Sequence, residues 1–123
     1  MISLNEVLAI HDILIERFGG AKGVRDISGL ESAINRPFQT FDARELYPEP
    51  IDKASAIFES IISNHPFIDG NKRTAYVLMR LFIKQDMLDI EATADEKFNF
   101  VLKSAKGELT FDEIKAWIRS KLR

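Results

Sequence analysis

The sequence predicts an all-α chain, and three observations carry that expectation. A Ser or Thr followed three residues later by Glu occurs at Ser3/Glu6, Ser28/Glu31, Thr93/Glu96 and Thr110/Glu113. Each such capping box can satisfy backbone donors left open where a helix begins. Each box leads into apolar residues at the 3.6 helical period. The third observation is a stretch from Asn71 to Gln85 that is apolar almost all round, the pattern of a helix buried at the centre of a bundle.

The first helix is expected from about Leu4 to Arg17, with Leu4, Val7, Leu8, His11, Leu14, Ile15 and Phe18 on one face. Gly19-Gly20 supplies a left-handed stop. A short second helix over Gly29 to Asn35 ends before Pro37. Phe38 to Pro50 keeps neither period and reads as a structured loop or small flap, closed by Tyr47-Pro48-Glu49-Pro50. A third helix, Asp52 to His65, places Ala54, Ile57, Phe58, Ile61, Ile62 and His65 on one stripe, so His65 is expected to face the interior. The fourth, Asn71 to Gln85, leaves Arg73, Arg80 and Lys84 as its polar stripe. Two amphipathic helices, about Ala94 to Lys106 and Phe111 to Lys121, follow on either side of Gly107.

At 123 residues the chain, 1–123, has room for one domain with one core. A net charge of −2 gives no electrostatic ground for nucleic acid or a membrane surface as principal partner. The basic residues Lys115, Arg119, Lys121 and Arg123 are adequately explained as a solvated helix face. With no cysteine, disulfides and thiolate metal sites are excluded. The opening Met1-Ile2-Ser3-Leu4-Asn5-Glu6 lacks a basic region leading into an apolar stretch, so no signal peptide is expected. The longest apolar run, Ala75 to Ile83, is broken by Arg80 and falls short of the ~20 residues that span a bilayer. A cytoplasmic protein is the expectation.

The chemistry concentrates in His65-Pro66-Phe67-Ile68-Asp69-Gly70-Asn71-Lys72-Arg73-Thr74, between two helices. Pro66 disfavours helical geometry at His65 and ends the third helix there. Phe67 anchors the loop by burial, Gly70 permits a backbone that a side chain would oppose, and Asn71 is a good N-cap. A sharp turn opening onto a helix start aims several N–H groups at one spot, which suits an anion. Helix N-termini favour acids by ~0.3–1 kcal/mol each. Here Lys72 and Arg73 occupy the first turn instead, and a multiply charged anion would turn that repulsion into attraction. Asp69 beside a phosphate points to a divalent cation, because carboxylate plus phosphate oxygens is how proteins commonly hold Mg²⁺. An imidazole such as His65 is suited to accept a proton from an attacking hydroxyl. The plainer alternative is a core histidine, solvated cations and an ordinary Asp-Gly turn. The residues alone weigh the two about equally.

The run His65 to Arg73 resembles the Fic motif, His-Pro-Phe-x-Asp/Glu-Gly-Asn-x-Arg, position by position. Lys72, where adenylyl-transferring Fic enzymes have Gly, is similar to the Doc (death-on-curing) branch. His11-Asp12, Arg17-Phe18-Gly19-Gly20, Gly29-Leu30-Glu31-Ser32-Ala33, Leu46-Tyr47-Pro48 and Gly107-Glu108-Leu109 extend the resemblance over essentially the whole chain. It implies a Fic-type bundle of about six helices around Asn71–Gln85, with a small flap at Phe38 to Pro50. It implies ATP with Mg²⁺, and phosphoryl transfer to a hydroxyl, a threonine of elongation factor Tu in Doc-type toxins, halting translation. On that resemblance His65 is the catalytic base, Asp69 the Mg²⁺ ligand, and Gly70, Asn71, Lys72 and Arg73 the anion-binding loop and helix start. Gly70 departs from Doc chains that carry Ala there. The self-inhibitory motif Ser/Thr-x-x-x-Glu-Gly/Asn is absent, and Ser28-Gly29-Leu30-Glu31 has the wrong spacing. A Phd-type antitoxin acting in trans is therefore implied.

Four other readings compete with this one. With His 2 in the whole chain, a metal phosphohydrolase on His11-Asp12 lacks ligands, and His11 is assigned a structural role. A P-loop is excluded by the missing upstream glycine and strand. The remaining alternatives are a Fic-type AMP transferase and a catalytically silent Fic-fold binding protein.

Overall fold

The computed structural model describes residues 1–123. Six α-helices follow one another: α1 (Leu4–Phe18), α2 (Ile27–Asn35), α3 (Pro50–Asn64), α4 (Asn71–Lys84), α5 (Ala94–Ala105) and α6 (Phe111–Ser120). A 3-10 turn at Arg36–Phe38 and a two-stranded hairpin, β1 (Thr40–Phe41) and β2 (Arg44–Glu45), lie between α2 and α3. The all-helical expectation holds, and no helix is long and apolar enough to cross a membrane.

Three of the four sequence-read capping boxes form, at Ser3/Glu6, Thr93/Glu96 and Thr110/Glu113, each with both reciprocal hydrogen bonds. The fourth does not. Asp26, not Ser28, caps α2, its side chain accepting from the Gly29 amide at 3.0 Å. Asp26 lies three residues before Gly29 in the extended conformation an N-cap needs, whereas Ser28 is already inside the helix. The flap contains a real hairpin despite its weak pattern. Thr40 pairs with Glu45 and Phe41 with Arg44 across a turn in which Asp42 and Ala43 take positive φ. Two-residue strands are too short to register as alternation.

α3 is the most enclosed element, touching α2, the 3-10 turn, α4, α5 and α6. Ile51, Ala54, Ile57, Phe58, Ile61 and Ile62 bury its apolar side, and Ser55 and Ser60 are buried with them. α4 buries Ala75, Leu78, Met79, Phe82 and Ile83 against it and leaves Lys72, Arg73 and Lys84 outside. The enclosed centre is thus α3 rather than α4, and it buries a small polar residue that bonds back to its own turn. Ser55 Oγ does this, donating to Ile51 O at 2.8 Å.

Long-range polar contacts tie the periphery on. Arg36 donates to Glu59 at 2.8 Å, Ser60 at 3.0 Å and the Tyr47 hydroxyl at 3.1 Å, fastening the end of the flap to α3. Arg80 on α4 grips Asp89 through two hydrogen bonds of 3.0 and 2.7 Å. Asp89 and Arg123 exchange backbone hydrogen bonds, so the end of α6 is held beside the end of α4.

Candidate active site

α3 stops at Asn64, and His65 follows in the left-handed conformation (φ 48°, ψ 55°). A non-glycine residue there costs about 1–3 kcal/mol, and Pro66 adds its own opposition to any helical basin at the preceding residue. The turn carries His65 off the apolar stripe of α3. Its side chain is exposed and its ring makes no hydrogen bond, contrary to the expected interior position. The periodicity ran one residue too far, into the residue where the helix had already ended.

His65 lines a cleft of about 360 Å³ together with Ile68, Asp69, Gly70, Asn71, Lys72 and Arg73. The candidate site residues His65, Asp69, Gly70, Asn71, Lys72 and Arg73 therefore border one cavity, but not with the positions first expected of each. Asn71 is not the N-cap. Gly70 occupies that position in the left-handed region (φ 77°), and Asn71 is the first helical residue. The Asn71 side chain turns inward: its Nδ2 donates to Phe67 O and its Oδ1 accepts from Phe67 N, both at 2.9 Å. It closes the loop on itself and offers the cleft only its backbone amide.

The glycine at position 70 has a packing reason. A Cβ there would lie 3.0 Å from Ile15 Cδ1 and 3.5 Å from His11 Nε2, besides forcing positive φ on a side chain. His11 is 2% exposed, and its ring stacks on Phe67 with centroids 3.8 Å apart. Its Nε2 donates to the Asp69 carbonyl at 2.8 Å. The structural role assigned to His11 is thus a specific one: it clamps the loop from α1.

The segment between α1 and α2 closes the other side. Arg25 N and Asp26 N both donate to Pro66 O, at 2.7 and 3.0 Å, and Ile68 N donates to Gly23 O at 3.1 Å. Val24 and Phe67 form an antiparallel bridge. The Arg25 guanidinium donates from Nε to His65 O at 2.9 Å and from a terminal nitrogen to Asn64 O at 3.0 Å. Sequence reading missed this segment entirely. The only available signal was a polar run with Gly23 inside it, indistinguishable from an ordinary connection.

The electrostatics of the cleft are one-sided. No acid lies in the first turn of α4, and no capping side chain serves it. The amides of Asn71, Lys72 and Arg73 have no protein acceptor; the first amide of the run that does is that of Thr74, bonded to Gly70 O at 3.0 Å. Lys72 makes no ion pair. Arg73 makes none either, its guanidinium lying 4.2 Å from the Phe18 ring centroid. Open amides, a helix N-terminus and two unpaired cations give the cleft the positive character that would favour an anion.

Asp69 is the one carboxylate at the cleft. Its Oδ2 accepts from Ala21 N at 3.1 Å and its Oδ1 from Gly70 N at 2.9 Å, which fixes its orientation and leaves lone pairs on both oxygens. No cluster of three or more His, Cys, Asp or Glu could hold a metal ion by itself. A cation at Asp69 would draw its other ligands from phosphate oxygens and water, which suits Mg²⁺.

Fold and site define a helical protein whose cleft brings together open helix amides, an exposed imidazole and an oriented carboxylate. The family model described as Fic/DOC family matches residues 1–83. Toxin Doc of Mycolicibacterium smegmatis is 36% identical over 95 residues, covering 75% of this chain and 73% of that protein. Protein kinase doc of Escherichia phage P1 is 31% identical over 121 residues, covering 96% and 92%. The chain belongs to the Fic/DOC family.

Proposed function

We propose that this chain is a Doc-type toxin that moves the γ-phosphoryl group of ATP onto a protein hydroxyl, a threonine of elongation factor Tu, and so arrests translation. The observation that carries the proposal is the first turn of α4, where three amides stand open and Lys72 and Arg73 have no anionic partner. The names of the two relatives, a toxin and a protein kinase, support the same reading.

In this mechanism the amides of Asn71, Lys72 and Arg73 hold phosphate oxygens, and the two side chains offset their charge. Asp69 would hold Mg²⁺, which, when bound, neutralises phosphate charge. The target hydroxyl oxygen attacks the γ-phosphorus and its proton passes to the His65 imidazole. The bond between the γ-phosphorus and the bridging oxygen breaks, and ADP leaves. Lys72 decides between phosphoryl and adenylyl transfer. Glycine at that position would let the backbone press close to the inner phosphates, whereas Lys adds bulk and a point charge that favour presentation of the γ-phosphate. Gly70 does not argue for AMP transfer, since its packing against His11 and Ile15 already accounts for it. The β1–β2 hairpin, exposed along its length, supplies edges on which an extended target segment could pair. A Phd-type antitoxin restrains the toxin in trans, in the cytoplasm.

Incubation with Mg²⁺ and γ- or α-labelled ATP in a cell extract tests the reaction. Label from the γ-position on one protein of elongation-factor size is the expected result. Label from the α-position alone would replace this reading with AMP transfer.

A further inference from the structure

The strained residue of the site is also its proposed base, and the structure shows what holds it. The last carbonyls of a helix lack intrahelical donors and are commonly met by a glycine-based left-handed cap. Here the capping residue is His65, with positive φ and a proline after it. Its carbonyl receives the Nε and a terminal nitrogen of Arg25, and the neighbouring Asn64 carbonyl receives the same guanidinium at 3.0 Å. The backbone amides of Arg25 and Asp26 converge on the next carbonyl, that of Pro66. Three successive carbonyls are thus fixed from one short segment, two of them by a single planar, permanently charged fork.

The contacts of the Arg25 guanidinium fall on the His65 side of the loop. The other side is held without that guanidinium, by Asn71 on Phe67, His11 on the Asp69 carbonyl, Ala21 N on the Asp69 carboxylate and Gly23 O on Ile68 N. Arg25 itself does not line the cleft.

We infer that Arg25 is a positioning residue for catalysis, holding His65 in the left-handed conformation that turns its imidazole into the cleft. The inference rests on the phosphoryl-transfer reading above. Without the guanidinium, the backbone at His65 relaxes toward the extended geometry that Pro66 favours, and the imidazole leaves its station. Nucleotide binding, built on the other half of the loop, stays.

The test measures γ-phosphoryl transfer by the intact chain, with Mg²⁺-ATP binding by calorimetry and the φ-dependent scalar couplings and backbone shifts of His65 by NMR. Misplacing a catalytic group by ~1 Å costs on the order of 10²-fold in rate, so Arg25→Ala is expected to lower kcat ~30- to 100-fold with the ATP Kd and KM within ~3-fold. Arg25→Lys, which keeps the charge but not the fork, recovers part of that loss. In a His65→Ala background, Arg25→Ala produces little further decrease, since a residue acting through the imidazole has nothing left to position. An unchanged kcat overturns the inference, as does an equal loss in kcat and ATP affinity, or an additive loss in the double variant. Should Arg25→Ala not fold, the same measurements on Arg25→Lys decide. A wild-type chain without γ-transfer would sink the kinase reading alone. The NMR couplings then decide the positioning claim, which fails if His65 keeps positive φ in the Arg25 variants.

Discussion

Two helix-to-helix junctions in this molecule solve the same problem in opposite ways. Between α5 and α6, Gly107 takes the positive φ in open space, Thr110 and Glu113 form a reciprocal capping box, and Asp112 and Glu113 fill the first turn. Every local preference is met. Between α3 and α4, a histidine takes the left-handed position, no side chain caps the next helix, and the first turn carries cations. The ordinary junction holds itself. The other is held from a distance, by His11 on α1 and by the segment from Ala21 to Asp26. Local rules are broken at the junction proposed to hold the nucleotide, and tertiary contacts compensate.

The largest effect expected at the strained junction is on chemistry. His65→Ala should lower transfer and toxicity by ~10²–10⁴-fold, the usual worth of a positioned general base. The exposed, unbonded ring makes the thermal midpoint insensitive to this change. Toxicity that survived the substitution, with the fold intact by circular dichroism, would leave a binding role only.

Asn71→Ala removes both bonds to the Phe67 backbone and leaves a buried amide and carbonyl without partners. At about 1–3 kcal/mol for each group so stranded, a loss of about 3 kcal/mol is expected in denaturant titration, together with loss of nucleotide binding. A loss below 1 kcal/mol would mean that the loop holds without its internal clamp.

The tie from α4 through Asp89 to the end of α6 can be tested by pH. Hydrogen bonds from Arg80 hold the Asp89 carboxyl down at about 2, well below the usual carboxylate range. A depressed folded-state pKa contributes stability above the unfolded value, and that contribution disappears as pH falls from near 4 through 2. Since the Asp89 side chain is 36% exposed, solvent screening limits the contribution to about 1 kcal/mol. Asp89→Asn should flatten this part of the acid limb in a thermal-melt series; an unchanged limb would show the pair to be idle.

The smallest effects discriminate the junctions most directly. Thr110→Ala should cost about 1 kcal/mol through the lost cap and leave transfer unchanged. Lys72→Glu should do the reverse, stabilising the chain by about 0.5–1 kcal/mol through the helix dipole while abolishing nucleotide binding. If Lys72→Glu destabilised the protein instead, the first turn of α4 would not be the electrostatic misfit described above.

The helices and most of their starts were legible in the sequence because caps and apolar period are local. Ser3, Thr93 and Thr110 meet partners three residues away, and no fold is needed to find them. The misreadings share one cause. Ser28 as the cap of α2, His65 on the α3 stripe and Asn71 as an N-cap each follow from pattern alone, where backbone conformation decides otherwise. The hairpin was invisible because two-residue strands carry no period.

By itself the sequence determined the helical class, the junction proposed to carry the chemistry, and the residue types present there, since those depend on neighbours within a few positions. Only the tertiary structure decided what each does. Asn71 closes the loop, His11 and Arg25 hold it from 58 and 40 residues away, and His65 is turned outward against its own preference. A left-handed histidine before a proline is unfavourable locally, so it exists only where distant groups supply the difference.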